Sequence, residues 1–171
     1  MERRFDEFLT AMKTVTSLYD YTPVPCAATI GSFDGVHRGH CAMLAELRSK
    51  AAAAGLPVMA ITFAKHPRML FSAGCEPFLL CSREEKEAML ALQGVDILVL
   101  LDFNEAMASM SAFDFMKSVL LSSLGVKMLA VGYDHRFGKP CTAEGVEDYI
   151  LYGKQLGIDV FSTSPFTIDD G

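Results

Sequence analysis

The chain has 171 residues, 51% of them hydrophobic and 21% charged, and carries a formal net charge of −6 with a pI near 5.1. That length supports one domain with a sizeable core, and the composition excludes a disordered chain. The acidic balance excludes general nucleic-acid binding, which needs a basic face, and no apolar run reaches the roughly 20 residues of a membrane span.

Residues 1–13, "MERRFDEFLTAMK", carry acids throughout and hold no apolar block of signal-peptide length, so secretion is not expected. Phe5, Phe8, Leu9, Met12 and Val15 fit a helical stripe, but "DYTPVP" then breaks it. Residues 1–25 therefore read as an N-terminal arm, and the domain as residues 26–171. The five cysteines, Cys26, Cys41, Cys75, Cys81 and Cys141, are odd in number and contain no C-x-x-C pair, which fits reduced thiols of a cytoplasmic protein.

From Cys26 onward, strand-like and helix-like segments alternate. The runs "CAATIGSF" (26–33), "PVMAITFA" (57–64), "VDILVLLDF" (95–103), "VKMLAVGY" (126–133) and "IDVFSTS" (158–164) read as strands. Most are continuously apolar, as strands buried on both faces of a parallel sheet are. Between them lie helical segments: "GHCAMLAELRSKAAAA" ending at Gly55, "SREEKEAMLALQ" opening at Ser82, "SAFDFMKSVLLSSL" opening at Ser111, and "AEGVEDYILYGKQL" ending at Gly157. Met107, Met110 and Met116 read as core fillers, and the charges of "SREEKE" as a solvated first helical turn. The order predicts an α/β domain with a doubly wound, five-stranded parallel sheet.

In such a sheet ligands sit beyond the carboxyl ends of the strands, and "GSFDGVHRGH" (31–40) occupies that place after the first strand. Its glycines permit close backbone approach, and the following helix turns its free N–H groups and positive dipole end toward the loop. His37 and His40, three apart, fall on one face and can donate to phosphate oxygens from that side. A zinc site would need further ligands, and His66, His135 and the cysteines show no ligand spacing, so no metal residues are assigned. Helix capping by both histidines is the plainer alternative. The G-x-G-x-x-G and G-x-x-x-x-G-K-[ST] fingerprints are both missing from the sequence.

"GSFDGVHRGH" resembles the H-x-G-H signature of the nucleotidyltransferase superfamily, and its "FDGVHRGH" form resembles the adenylyltransferase module of prokaryotic bifunctional riboflavin kinase/FAD synthetases. "ITFAKHPR" (61–68), "SREEKEAMLALQGVD" (82–96) and "VGYDHRFG" (131–138) resemble further segments of that family in the same order. The resemblance implies a Rossmann-like nucleotidyltransferase fold and transfer of AMP from ATP to FMN, giving FAD and pyrophosphate, with Mg²⁺ arriving on the ATP phosphates. It implies that His37 and His40 stabilise the reacting phosphate and that, together with Gly39, they bind ATP. It places Gly31, Ser32, Phe33 and Asp34 on the adenosine side, although Asp34 fits plain turn structure equally. His66, Pro67, Arg68, Asp134, Arg136 and Phe137 are implied on the flavin side. A ligand-free His-Pro corner and a local Asp134–Arg136 pair are the structural alternatives.

The chain departs from the family pattern at three places. Ala64 and Lys65 stand where the family carries an acid and a proline before His-Pro, and after "RFG" only Lys139 remains of a basic stretch. "FSTS" (161–164) has no Arg after it, so the domain is expected to stop short of the Ser-Ser-Thr-x-x-Arg motif and of a riboflavin kinase domain. Two rival readings follow: a sister adenylyltransferase acting on another phosphate acceptor, and a non-catalytic flavin- or nucleotide-binding module.

Overall fold

The computed structural model describes residues 11–34, 37–64, 81–133, 135–138 and 143–163. Within them the chain runs β1 (Lys13–Val15), β2 (Cys26–Ile30), α1 (Arg38–Ala54), β3 (Val58–Phe63), α2 (Arg83–Leu92) and β4 (Ile97–Leu101). It continues through α3 (Glu105–Ala108), α4 (Ala112–Phe115), a π-helical stretch (Met116–Ser123), β5 (Val126–Gly132), α5 (Val146–Leu156) and β6 (Asp159–Thr163). The strands form one sheet in the order β1-β4-β3-β2-β5-β6, every neighbouring pair parallel.

Side-chain alternation along these strands explains their unbroken apolar runs. Ala28 and Ile30 of β2 point into a core shared with Phe115, Met116, Leu120 and Tyr149, from α4, the π-helical stretch and α5. Ala27 points to the opposite core, built with Leu44 and Leu47 of α1 and Leu90 of α2. Both faces are covered, so no position in β2 is left for a polar-out residue. Its one hydroxyl, Thr29, is buried and lies 3.5 Å from the Met43 sulfur. Cys26 is likewise wholly buried, and burial pushes its thiol up to about 12, which makes it an unreactive core residue.

The helix ends follow local chemistry. Ser82 and Glu85 form a reciprocal capping box at the start of α2, with the Ser82 N–H donating to the Glu85 carboxylate at 2.7 Å. Asn104 caps α3, a short helix that the sequence reading did not separate. Ser111 caps α4 as expected. From Met116 the same segment loosens to π-helical spacing, and Ser122 and Ser123 each donate to the carbonyl five residues earlier, those of Lys117 and Ser118.

Among the described residues the sheet has six strands rather than the expected five. Lys13–Val15 pair with Ile97–Val99 of β4, so the helical stripe expected through Val15 does not extend that far; Phe5, Phe8 and Leu9 lie outside the described residues. Met12, Val15 and Tyr21 are buried, so the core reaches back before Cys26. Three residues of edge strand are too few for a period to register in the sequence. Among the described residues no helix is long and apolar enough to cross a membrane.

Candidate active site

β2 lies at the point where the order of the sheet reverses, with β3 on one side and β5 on the other. The crevice at the carboxyl ends of these three strands is where a doubly wound sheet binds ligands. The Gly31 N–H still donates to the Ile61 carbonyl at 3.0 Å, and the chain then leaves the sheet. Phe33 follows with φ of 48°, fully buried. A left-handed conformation at a bulky residue costs on the order of 1–3 kcal/mol and persists only where its surroundings over-determine it.

The surroundings supply that constraint through the Ser32 carbonyl. It accepts from the Thr62 hydroxyl at 3.1 Å and from the Lys86 ammonium at 2.8 Å. Together a neutral and a charged hydrogen bond contribute about 2–3 kcal/mol, taking the charged one at its low end because Lys86 is half-exposed. That is enough to offset the strain.

His37 then caps α1, its Nδ1 accepting from the Gly39 N–H at 3.2 Å. The neutral ring must therefore carry its proton on Nε2, as an outward donor. His40, in the first turn, stacks on His37 with centroids 3.9 Å apart and planes 21° from parallel. The buried Phe33 ring supports His40 from beneath, at 5.1 Å. Gly39 lets the imidazole sit close, because a Cβ there would lie 3.0 Å from His37 Cε1 and make the ring shift by a few tenths of an ångström. The first turn of this 17-residue helix contains no acid, so its positive end is not neutralised locally.

The 31–34 turn that precedes the histidines also walls a pocket, together with the end of β3 and α2, lined by Ser32, Asp34, Thr62, Phe63, Lys86 and Leu100 among others. Its wall combines apolar and polar groups, with Phe63 set edge-on to Phe103 at 5.4 Å. Ala64 also lines it and is exposed. The charge run of α2 is thus not wholly solvated. Arg83 and Glu87 pair along the helix at 2.7 Å, an exposed contact contributing about 0.3–0.5 kcal/mol, whereas Lys86 turns inward.

Across β2, the loop after β5 is fastened to α5. The Phe137 ring stacks on Tyr149 at 4.1 Å, with planes 16° apart. The Tyr149 hydroxyl accepts from the Phe137 N–H at 3.1 Å and donates to the Phe137 carbonyl at 3.3 Å. Burial raises the Tyr149 hydroxyl above its ordinary pKa, keeping it protonated for this pair of bonds. One face of Phe137, expected toward the flavin, is therefore occupied by Tyr149. Arg136 is exposed and donates to the His135 carbonyl at 3.2 Å. Near the start of α5, Tyr152 donates to the Glu144 carboxylate, and that bond pushes its hydroxyl up to about 12.

The structure brings Gly31, Ser32, Phe33, Asp34, His37, Gly39 and His40 into one turn at the end of β2, and sets Arg136 and Phe137 after the neighbouring β5. His66, Pro67, Arg68, Asp134, Lys65 and Lys139 lie outside the described residues. Three contributors were not foreseen in the sequence: Thr62, Lys86 and Tyr149. For Lys86 a signal existed, since it lies four residues before the buried Leu90 and hence on the inward face of α2. Among the described residues no three His, Cys, Asp or Glu side chains converge as a metal site.

Comparison with known proteins agrees with this geometry. The family model for FAD synthetase matches residues 20–171. The chain is 38% identical over 161 residues to the bifunctional riboflavin kinase/FMN adenylyltransferase of Escherichia coli (strain K12), covering 91% of this chain and 50% of that protein. It is 37% identical to the enzyme of the same description from Pseudomonas fluorescens, covering 92% of this chain and 51% of the relative. The chain thus spans about half the length of these curated relatives. A crystal structure described as a macrolide-efflux protein from Streptococcus pneumoniae superposes with a TM-score of 0.77 at 26% identity, over 94% of this chain and 53% of that one.

Proposed function

Since the chain belongs to the FAD synthetase family, we propose that it transfers the adenylyl group of ATP to FMN, releasing pyrophosphate and forming FAD at the His37–His40 site. The observation that carries this reading is the stacked histidine pair at the N-terminus of α1, at the switch point of the sheet and following a turn that walls a pocket.

A phosphate oxygen of FMN attacks the α-phosphorus of ATP. The bond from that phosphorus to the bridging oxygen of pyrophosphate breaks in line, and the bonding electrons leave with pyrophosphate. No covalent enzyme intermediate is needed, so the protein contributes position and charge stabilisation. The outward Nε2–H of His37, the His40 ring and the first N–H groups of α1 supply donors where negative charge grows. Mg²⁺ would arrive with ATP as its phosphate complex, because His37, His40 and the first N–H groups of α1 are nitrogen donors, suited to phosphate oxygens rather than to a hard cation.

Gly31, Ser32, Phe33 and Asp34 border the adenosine in this reading, and the pocket between β3 and α2 takes the acceptor, with His66, Pro67 and Arg68 following β3. Phe63 and Leu100 give that pocket apolar surface for a flat ring. On the β5 side, Arg136 with Asp134 addresses the flavin nucleotide, while Phe137 acts chiefly as the anchor of its loop. The odd number of cysteines, with no C-x-x-C pair among them, supports a cytoplasmic setting.

The exposed Ala64 in the pocket wall favours a second reading, a module that binds flavin and nucleotide without turnover. Pyrophosphate release with ATP, Mg²⁺ and one acceptor at a time separates these readings. FMN is expected to support release, whereas pantetheine phosphate and nicotinate mononucleotide remain at the acceptor-free background. Equal release with either of those would assign the chain a different acceptor. Release with none would favour the binding module.

A further inference from the structure

We propose that Lys86 is a positioning residue for the transfer, holding the Ser32–Phe33 peptide in the orientation that seats Phe33 beneath His40. The inference rests on the reading of His40 as a phosphate-stabilising group. The oxygen of Ser32 lies in the rigid peptide plane between ψ of Ser32 and φ of Phe33, so, with the backbone held on either side, turning that oxygen away from its donors changes φ at Phe33. Two donors aim at the oxygen: Lys86 Nζ at 2.8 Å and Thr62 Oγ1 at 3.1 Å. A carbonyl oxygen has two lone pairs, and both are used.

The consequence is carried by contact. With φ at 48° the Phe33 ring is wholly buried and lies 5.1 Å from His40, which in turn stacks at 3.9 Å on His37. Releasing the carbonyl lets the peptide rotate to an ordinary negative φ and withdraws the ring from under the imidazole pair. Lys86 comes from α2, more than fifty residues further along the chain. The capping box at Ser82 and Glu85 fixes where that helix begins and so where the ammonium can reach.

The test compares Lys86→Met and Lys86→Arg by FAD formation and by the NMR signals of the His40 ring, identified by their loss in His40→Asn. Lys86→Met is expected to lower kcat about 10-fold or more, with KM for FMN and ATP within about twofold, because misplacement of a catalytic group acts on the transition state. The His40 signals should shift in Lys86→Met. Lys86→Arg, which keeps a charged donor, should restore both readouts in large part. A KM for FMN raised about tenfold at unchanged kcat would overturn the proposal, because Lys86 would then be gripping the acceptor. Unchanged kcat with unmoved His40 signals would overturn it also. If Lys86→Met does not fold, as judged by its melting curve, Thr62→Val removes the second donor to the same oxygen and should give the same signature more weakly. Should the unmutated protein make no FAD, the assignment of function fails, yet the NMR comparison still decides the role of Lys86.

Discussion

Replacing either His37 or His40 by alanine is expected to lower FAD formation by about 10²–10³-fold, the usual loss when one preorganised donor to a developing negative charge is removed. The two positions differ in what else they do. His37 also caps α1 through Nδ1, so His37→Ala should cost about 0.5–1 kcal/mol of stability as well. His37→Asn separates these roles, since asparagine is a good N-cap but has no outward ring N–H. It should melt within a few degrees of the unmutated protein and remain slow. The N-cap of α1 is His37, not His40, so loss of His40 should act mainly on rate. Turnover and melting temperature, measured together on the three variants, check this. Rates equal to the unmutated protein would remove the histidines from the chemistry.

Gly138→Ala is expected to destabilise the protein by about 2–4 kcal/mol, combining left-handed strain with overpacking. Gly138 has φ of 90°, and a Cβ there would lie 2.7 Å from the Ala112 amide nitrogen and 3.0 Å from Ala112 Cα. Both are backbone atoms at the capped start of α4, which cannot swing aside as the end of a side chain would. At roughly 2–4 °C per kcal/mol for a chain of this size, the melting temperature should fall by about 5–15 °C. Phe137 and Arg136 directly precede this glycine, so whatever fold remains should also bind FMN more weakly. A variant that melts and binds like the unmutated protein would show that the loop packs on α4 differently.

Much of the architecture was legible because both-face burial leaves a simple trace: β2 through β6 each fall within a run singled out from the sequence, and the helix limits at Ser82, Ser111, Gly55 and Gly157 follow from capping chemistry. β1 was not, because three residues of edge strand are shorter than any detectable period. In the site, the local elements were readable. His37, Gly39 and His40 are close in sequence, so their geometry follows from one helix start. Lys86 reaching Ser32, and Tyr149 clasping Phe137, join residues from separate elements. Such contacts arise only once the sheet order is fixed. The inward turn of Lys86 was also masked by the exposed charges around it, which are genuinely solvated at Arg83 and Glu84.

The central claim, that this His37–His40 site joins AMP to FMN, is tested most directly by incubating the protein with FMN and ATP labelled at the α-phosphate in the presence of Mg²⁺, then separating the products by chromatography. The account predicts label in FAD, with one pyrophosphate released per FAD formed, and its loss in His40→Ala. Label remaining in ATP while the protein binds both ATP and FMN would contradict it, leaving a flavin- and nucleotide-binding module without the transferase step.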